Sequence, residues 1–351
     1  MAAIPALRES AFATAHRVGA LVAALVLLVA LVLLVGESPL AVFGALLNGA
    51  FGTWDQVGRV VNTLTVLLLC SAGLVFTFNA GLYNLGVEGQ VTVGAIATTF
   101  VLRLVGEMLP GPLAITLSLV AGALGGVSWG LVAGALKVYG RVSEIFAGLG
   151  LNFIAQGAAI YLVFGPWKRP GVASTSGTEP FGEHLWLGTF GRTEATPVGV
   201  ALALIGLLFT ILIMQRTYFG LRLRAVGHNP RAADILGVSS ARHLLSAFAL
   251  CGVFAGVAGA LQVVGNYHRL TPTISGGLGF LGLLVVMLAG FNALFVLPIA
   301  FFFSALNVGS LQLPLVLQRV DSSLSGVIQG VLVLAALMGR GLAQRRAGGS
   351  A

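Results

Sequence analysis

The sequence predicts an all-α, polytopic membrane protein with about ten transmembrane helices. Composition is the first observation behind this prediction: 57% of the 351 residues are hydrophobic and 9% are charged, whereas soluble domains carry about 25% charged residues. Because so few charges cannot cover a water-exposed surface, lipid must be the solvent for most of the chain. The second observation is a series of apolar runs of roughly 20 residues, the length that spans a bilayer core. Together they exclude a soluble nucleotide-binding fold, a secreted disulfide scaffold and a disordered chain.

These apolar runs define the predicted spans. The first run, 18–35, is longer than the apolar region of a signal peptide, and we expect it to remain as a helix. A run at 39–51 is too short to cross and is expected to lie at the membrane interface or to re-enter. The predicted spans are 18–35, 60–78, 88–105, 112–136, 144–164, 197–214, 244–264, 277–292, 295–311 and 325–338.

Basic residues predict the orientation of these spans. The net charge of +8 is typical of nucleic-acid binding, but the arginines lie singly between apolar runs, as topology signals do. Since basic loops stay in the cytoplasm, the arginine-rich segment 216–242 places both termini inside. The chain is therefore expected to form one membrane domain, 1–351. Its predicted aqueous parts are the cytoplasmic tails 1–17 and 339–351, the external loop 165–196 and the cytoplasmic loop 215–243.

The cytoplasmic loop carries signals for a short helix with a cap at each end. Asn229 is suited to the N-cap, Pro230 to the first helical position and Gly237 to the left-handed position after the end. Ser239 or Ser240 can then cap the next helix. This helix either docks into a partner's groove or covers lipid headgroups. The small and apolar side chains that suit docking are Ala232, Ala233, Ile235 and Leu236.

A polar break containing glycines interrupts the apolar pattern between the second and third spans. Irregular backbone near lipid is tolerated only where protein or a water-filled cavity satisfies it. Glu88 is expected in the first turn of the third span, where the helix dipole favours a carboxylate, with Asn84 as a nearby cap. Either the break has a purely structural role, or its polar side chains line or gate a solute path. These side chains are Asn79, Asn84, Glu88 and Gln90.

Further polar and glycine-rich positions extend this hypothesis. Asn152 and Gln156 lie four residues apart on the fifth span, so they share a face and either join helices or contact solute. A second break, 271–279, is expected on the opposite membrane side, and paired breaks point to a central pathway. The glycine-rich stretches 122–134 and 252–259 are expected to allow tight helix packing.

Motifs for catalysis are missing from the sequence. No P-loop, HExxH or GxSxG pattern occurs, and the five histidines are scattered. Cys70 and Cys251 each lie within an apolar run and are interpreted as small buried hydrophobic residues. We therefore predict no enzyme activity, no metal and no cofactor in this chain.

Two stretches resemble a known family. The first resembles the cytoplasmic coupling segment of permease subunits in bacterial ABC importers, the class that moves branched-chain amino acids, ribose-type sugars and nucleosides; it reads Gly227-His228-Asn229-Pro230-x-Ala232-Ala233-x-x-x-Gly237. The second is similar to the N-I-G-V-E-G-Q signature of the simple-sugar and nucleoside branch; it reads Asn84-Leu85-Gly86-Val87-Glu88-Gly89-Gln90. The chain departs from the family at Leu281, where a polar residue is common.

The resemblance implies a fold like that of type II ABC importers and a site in the bacterial inner membrane. It also implies separate cytoplasmic ATPase subunits that dock on 229–237, a second permease subunit (identical or related), an extracytoplasmic solute-binding protein and no nucleic-acid partner. A nucleoside is the expected solute, with a simple sugar as the alternative. The implied coupling residues are Gly227, His228, Asn229, Pro230, Ala232, Ala233, Ile235, Leu236 and Gly237.

Two other classes of function compete with this interpretation. An ion-driven secondary transporter needs an intramembrane coupling group, and Glu88 is the acid near a break that could serve. A membrane-embedded lipid enzyme needs a polar catalytic cluster at the interface, which the sequence does not offer.

Overall fold

The computed structural model describes residues 36–171, 176–191, 193–316 and 323–331, together with 26, 29–30, 32–34, 333–335 and 338. The secondary structure of these residues is entirely helical, which confirms the all-α prediction. Helices α1, α4, α6 and α8 have a proline in the first turn, where a missing N–H costs nothing. The helices are α1 (Pro39–Phe51), α2 (Trp54–Asn79), α3 (Val87–Val105), α4 (Gly111–Val138), α5 (Glu144–Phe164), α6 (Pro197–Arg216), α7 (Tyr218–His228), α8 (Pro230–Ile235), α9 (Ser240–Leu261), α10 (Leu278–Leu288), α11 (Val296–Gly309) and α12 (Leu313–Val316).

Six helical segments in the described part of the chain are long and apolar enough to cross a membrane. The lateral face of α5 leaves Phe153 and Tyr161 exposed by 77% and 69%, which suits contact with lipid. The chain is therefore a multi-pass membrane protein. The six segments are Trp54–Asn79, Gly111–Val138, Glu144–Phe164, Pro197–Arg216, Ser240–Tyr267 and Ala293–Val316.

Several predicted spans differ from the observed helices. The prediction of a full span over 277–292 is wrong, because α10 has 11 residues and is bounded by the left-handed glycines Gly277 (φ +76°) and Gly290 (φ +64°). The predicted span 88–105 coincides with α3, a 19-residue helix that is not among the six. Most of 18–35 and part of 325–338 fall outside the described residues. The count of about ten spans stays a prediction.

The contacts divide the chain into two compact units, Met1–Val57 with Phe302–Ala351, and Gly58–Phe301. In the first unit, the short helix α1 has the length expected for 39–51 and packs into an apolar cluster. This cluster comprises Val32, Val42, Ala45, Leu46 and Leu313, with Leu306, Leu324 and Ile328 packed against it.

The second unit is built around the close packing of α3, α4 and α9. A Cβ atom on Gly126 would collide with the carbonyl oxygen of Gly252, and one on Gly256 would collide with the carbonyl oxygen of Gly122. On the same face of α9, a Cβ atom on Gly259 would collide with the carbonyl oxygen of Val91 in α3. The prediction that the glycine-rich stretches allow tight packing is confirmed.

The loop between α5 and α6 packs against the chain that follows α9. Residues Gln262–Tyr267 continue α9 as a π-helix, and His268 then turns the chain with a φ of +52°. The N–H of Phe181 donates to the carbonyl of His268 (2.9 Å), and the ring of Trp186 stacks on the His268 ring at 4.0 Å. Burial lowers the pKa of His268, which favours the neutral form of this stacked ring.

Candidate functional site

Glu88 joins the two breaks in the apolar pattern. It lies in the first turn of α3, as predicted, and is 7% exposed. Its Oε1 accepts a hydrogen bond from the N–H of Gly277 (2.8 Å), and its Oε2 accepts one from the N–H of Phe280 (3.3 Å). Both donors belong to the start of α10. One carboxylate thus lies at the N-termini of two helices, where both dipoles favour negative charge.

The second break is therefore not separated from the first. We expected 271–279 on the opposite membrane side, but Gly277 and Gly279 lie against the first turn of α3. A Cβ atom on Gly279 would come within 2.5 Å of Oε2 of Glu88, so glycine at this position makes room for the carboxylate. This juxtaposition depends on how α10 packs, which the apolar pattern does not specify.

The side chain of Asn152 forms hydrogen bonds with backbone groups of the first break. Its Nδ2 donates to the carbonyl of Leu85 (2.7 Å), and its Oδ1 accepts from the N–H of Gly89 (2.8 Å). One turn further along α5, Nε2 of Gln156 donates to the carbonyl of Pro272 (3.3 Å) in the second break. The shared face of Asn152 and Gln156 therefore contacts both breaks.

Asn79 ties the end of α2 to the chain that follows α10. Its Nδ2 donates to the carbonyl of Val75 (2.8 Å) and to that of Phe291 (3.0 Å). The ring of Phe78 stacks on that of Phe291, with centroids 5.0 Å apart. Asn79 is thus displaced from the cluster around Glu88 and stabilises the opposite end of α10.

Asn84 and Gln90 are completely buried, at 0% exposure. The prediction that Asn84 caps α3 is wrong: the N-cap is Gly86, and Nδ2 of Asn84 instead donates to Sγ of Cys251 (3.2 Å) and to Oε1 of Gln90 (3.5 Å). The Oδ1 of Asn84, the Nε2 of Gln90 and the Nε1 of Trp129 have no hydrogen-bond partner. Sequence reasoning missed Trp129, although an indole N–H in an apolar helix needs an acceptor.

The predicted caps of α8 are confirmed. The Oδ1 of Asn229 accepts from the N–H of Ala232 (3.1 Å), Pro230 opens α8, and Gly237 has a φ of +80°. Ser239 is the N-cap residue of α9, as predicted, but its side chain makes no capping hydrogen bond. That role falls to Asp234, whose Oδ1 accepts from the N–H of Ser240 (2.8 Å), and sequence reasoning missed it because Asp234 lies six residues upstream.

The predicted docking residues separate into exposed and buried groups. Ile235 and Leu236 are 86% and 80% exposed, and Ala232 is also exposed, but Ala233 is 3% exposed. We expected Ala233 to contact a partner, but it packs inside the chain and is not available to one. Gly227 and His228 belong to the end of α7, a helix that the sequence interpretation did not separate from α8.

The end of α7 rests directly on the end of α2. A Cβ atom on Gly227 would collide with the carbonyl oxygen of Asn79, and one on Gly81 would lie 2.8 Å from the carbonyl oxygen of Gly227. Gly81 has a φ of +73°, which also favours glycine. The end of α7 and the first break therefore meet through backbone contacts.

The described residues contain no group of three His, Cys, Asp or Glu side chains that could hold a metal ion. Cys70 and Cys251 are both buried free thiols, as their apolar surroundings predict. The site consists instead of backbone groups held by carboxylate and amide side chains, an arrangement that can position helices.

Comparison with known proteins places this chain in a transport family. Residues 56–337 match the family described as "Branched-chain amino acid transport system / permease component". The chain is 30% identical to a guanosine ABC transporter permease of Bacillus subtilis, over 87% of this chain and 88% of the relative. It is 25% identical to a nucleoside ABC transporter permease of Lactococcus lactis, over 78% of each chain. It is also 29% identical to a glucose ABC transporter permease of Haloferax volcanii, over 82% of this chain and 76% of the relative. The chain thus belongs to the permease components of the branched-chain amino acid transport family.

Proposed function

We propose that this chain is the membrane-spanning subunit of an ATP-driven importer that moves a nucleoside across the bacterial inner membrane. The nucleoside assignment is supported by the relatives named for guanosine and nucleoside transport. A simple sugar is the second candidate, because a similarly close relative is a glucose permease. Separate ATPase subunits, a second permease subunit and an extracytoplasmic solute-binding protein complete the transporter.

The observation that carries this proposal is the capped helix α8. Asn229 and Gly237 delimit a rigid unit, and Asp234 fixes its exit toward α9. Ile235 and Leu236 project from it with most of their surface exposed. Apolar side chains on a short rigid helix suit a groove on a partner, so the ATPase binds here.

Movement of α8 reaches the solute path through the end of α7. Gly227 lies against Asn79 and Gly81, so displacement of α7 displaces the start of the first break. The break continues into α3, where Glu88 holds the N-terminus of α10. Closure of the ATPases would thereby shift α10 relative to α3.

The six polar residues of the breaks and of α5 gate the solute path in this proposal. Glu88 and Asn152 hold backbone groups of the breaks, so a change in either contact alters the opening between α3, α5 and α10. The unbonded polar atoms of Asn84 and Gln90 would find partners when the helices rearrange. The full set is Asn79, Asn84, Glu88, Gln90, Asn152 and Gln156.

A pair of substitutions tests the docking surface. Ile235→Asp with Leu236→Asp should abolish ATP hydrolysis that co-purifies with the tagged permease from its native membranes, because buried carboxylates would remain unpaired at the interface. Met108→Asp is the matched control, since Met108 is 81% exposed in a different loop. Equal ATPase recovery for the double variant and the wild type would contradict docking through α8.

Uptake in a strain lacking the chain tests the solute and the energy source. We expect loss of labelled nucleoside entry with unchanged glucose entry, and restoration by the plasmid-borne gene. Uptake should stop on ATP depletion and persist when an uncoupler is added under conditions that maintain ATP. Loss of glucose entry alone would favour the sugar candidate, and uptake that collapses with the uncoupler alone would favour an ion-driven transporter.

A further inference from the structure

A pocket of about 520 Å³ lies between the end of α5 and the chain that follows α9. Its volume falls in the range of small-molecule sites, roughly 300–1,000 Å³. The residues that matter for recognition are Phe164, Tyr267, Arg269, Thr271 and Thr273. None of them belongs to the polar set assigned above to the gate.

The floor of this pocket is the beginning of the second break. Pro272 lines the pocket, and its carbonyl accepts the hydrogen bond from Gln156. Five residues later the same segment reaches Gly277, which donates to Glu88. An occupant of the pocket therefore contacts the segment that leads to the gate.

The pocket combines aromatic surface with the positive charge of Arg269. Phe164 is 43% exposed and Tyr267 is 40% exposed, so both rings offer apolar surface to an occupant. The Nε of Arg269 is buried and has no hydrogen-bond partner. The Nε atom is shielded from an occupant, but the positive charge of Arg269, which lines the pocket, favours an occupant with acceptors.

The fork of a guanidinium matches one pair of acceptors in nucleobases particularly well. Arginine binds the O6 and N7 atoms of guanine with two parallel hydrogen bonds, whereas adenine presents an amino donor in place of O6. The hydroxyls of Thr271 and Thr273 can bond ribose hydroxyls.

We infer that this pocket binds a 6-oxopurine nucleoside before translocation, with Arg269 directed to O6 and N7 and an aromatic ring of Tyr267 or Phe164 against the base. This inference rests on the proposed nucleoside transport and adds a site and a selectivity to it. Arg269 is the specificity-determining residue, and the aromatic rings supply affinity that does not depend on N7.

Initial uptake rates of guanosine and 7-deazaguanosine test this inference in the deletion strain carrying the full-length gene. Replacing N7 by C–H removes one acceptor of the guanidinium. Saturating solute removes the contribution of the binding protein's affinity. We expect the wild type to favour guanosine at least about tenfold, since a bidentate contact discriminates by roughly this factor or more. Arg269→Lys should reduce that ratio at least about fivefold, because an ammonium cannot span both acceptors.

Two variants control for indirect effects. Arg103→Lys makes the same replacement of a guanidinium by an ammonium, but Arg103 stacks on Trp167 (5.6 Å) outside the pocket, so this variant should leave the ratio unchanged. Tyr267→Ala should slow both solutes to a similar extent, because stacking does not depend on N7. Each variant is quantified in the membrane and checked for retained ATPase.

The outcomes separate this inference from the proposed function. No nucleoside uptake by the wild type overturns both. Nucleoside uptake with a wild-type guanosine preference below twofold, or with a ratio unchanged in Arg269→Lys, overturns only the pocket assignment. The guanosine preference of the wild type is measured without any variant. It therefore tests the inference even if Arg269→Lys inserts poorly.

Discussion

At the scale of single residues, the site depends on side chains that substitute for missing backbone partners. Glu88 supplies acceptors for two N–H groups at the start of α10, and Asn152 supplies both a donor and an acceptor to the first break. Such contacts are strong when the acceptor is charged and costly to lose when they are buried. These two polar residues, identified in the sequence, therefore have a structural role in the breaks, whatever their role toward a solute.

Removing the charge of Glu88 should impair transport. In Glu88→Gln the amide keeps one acceptor, but its NH₂ group faces an N–H donor, so one hydrogen bond to α10 is lost. We expect nucleoside uptake per inserted permease to fall at least about tenfold, since hydrogen bonds to charged groups contribute about 1.5–3 kcal/mol. Glu107→Gln is the control, because Glu107 is exposed in a loop. Wild-type uptake in Glu88→Gln would contradict the proposed gate.

Replacing Asn152 should destabilise the fold more than replacing its neighbour on the same face. Asn152→Leu leaves the carbonyl of Leu85 and the N–H of Gly89 without their partner, at a cost of about 1–3 kcal/mol for each buried group. Gln156→Leu loses one longer hydrogen bond, to Pro272. The fraction of monodisperse protein after graded heating in detergent measures the difference. A larger loss in Gln156→Leu would show that the first break is held by other contacts.

At the scale of elements, close glycine packing fixes α3, α4 and α9 as one group. The short separation brings the backbone of α9 against both neighbours, which leaves little room for adjustment. The first break and α10 are attached to this group through Glu88. In the proposed transporter, the elements that would move when the ATPases close are those attached at the edge of this group, namely α7, α8 and α10.

Adding one methyl group to this packing should be destabilising. Gly256→Ala forces α9 away from the carbonyl of Gly122, and overpacking of this kind costs about 1–3 kcal/mol. The matched control is Gly150→Ala on α5, where a Cβ atom would meet nothing within 4 Å. We expect the midpoint of thermal denaturation to fall for Gly256→Ala. It should not fall for Gly150→Ala, because alanine has a higher helix propensity than glycine. Equal midpoints for Gly256→Ala and the wild type would contradict the packing of α9 described above.

At the scale of the whole molecule, the basic loops predict the side of the membrane on which α8 lies. The docking proposal requires α8 and the ATPases on the same side, and solute delivery requires the loop of 165–196 on the other. Both conditions follow from cytoplasmic termini.

Labelling of introduced cysteines tests this orientation. Ala232→Cys should react with a membrane-impermeant maleimide only after the cells are opened, whereas Gly188→Cys should react in intact cells. Cys70 and Cys251 are buried, so their background is low in both variants. Reaction of Ala232→Cys in intact cells would exclude an ATPase site on α8.

Local chemistry explains which parts of the fold and site could be predicted. The caps of α8 were predictable because Asn229, Pro230 and Gly237 act within a few residues of themselves. The side-chain hydrogen bond at the start of α9 was not predictable, since its acceptor, Asp234, lies six residues before Ser240 and outside the N-cap position. The length of α10 was also mispredicted, because a run of apolar residues does not indicate the left-handed glycines that bound the helix.

The sequence by itself determined the solvent of this protein, its helical class, the caps of α8 and the polar residues of the breaks. These features depend on composition and on contacts between near neighbours in the chain. Tertiary structure alone decided that Glu88 meets Gly277, 189 residues away, and that Gly227 rests on Asn79 and Gly81. Such contacts arise because helices packed in lipid bring their unsatisfied ends together, and no local pattern specifies which ends will meet.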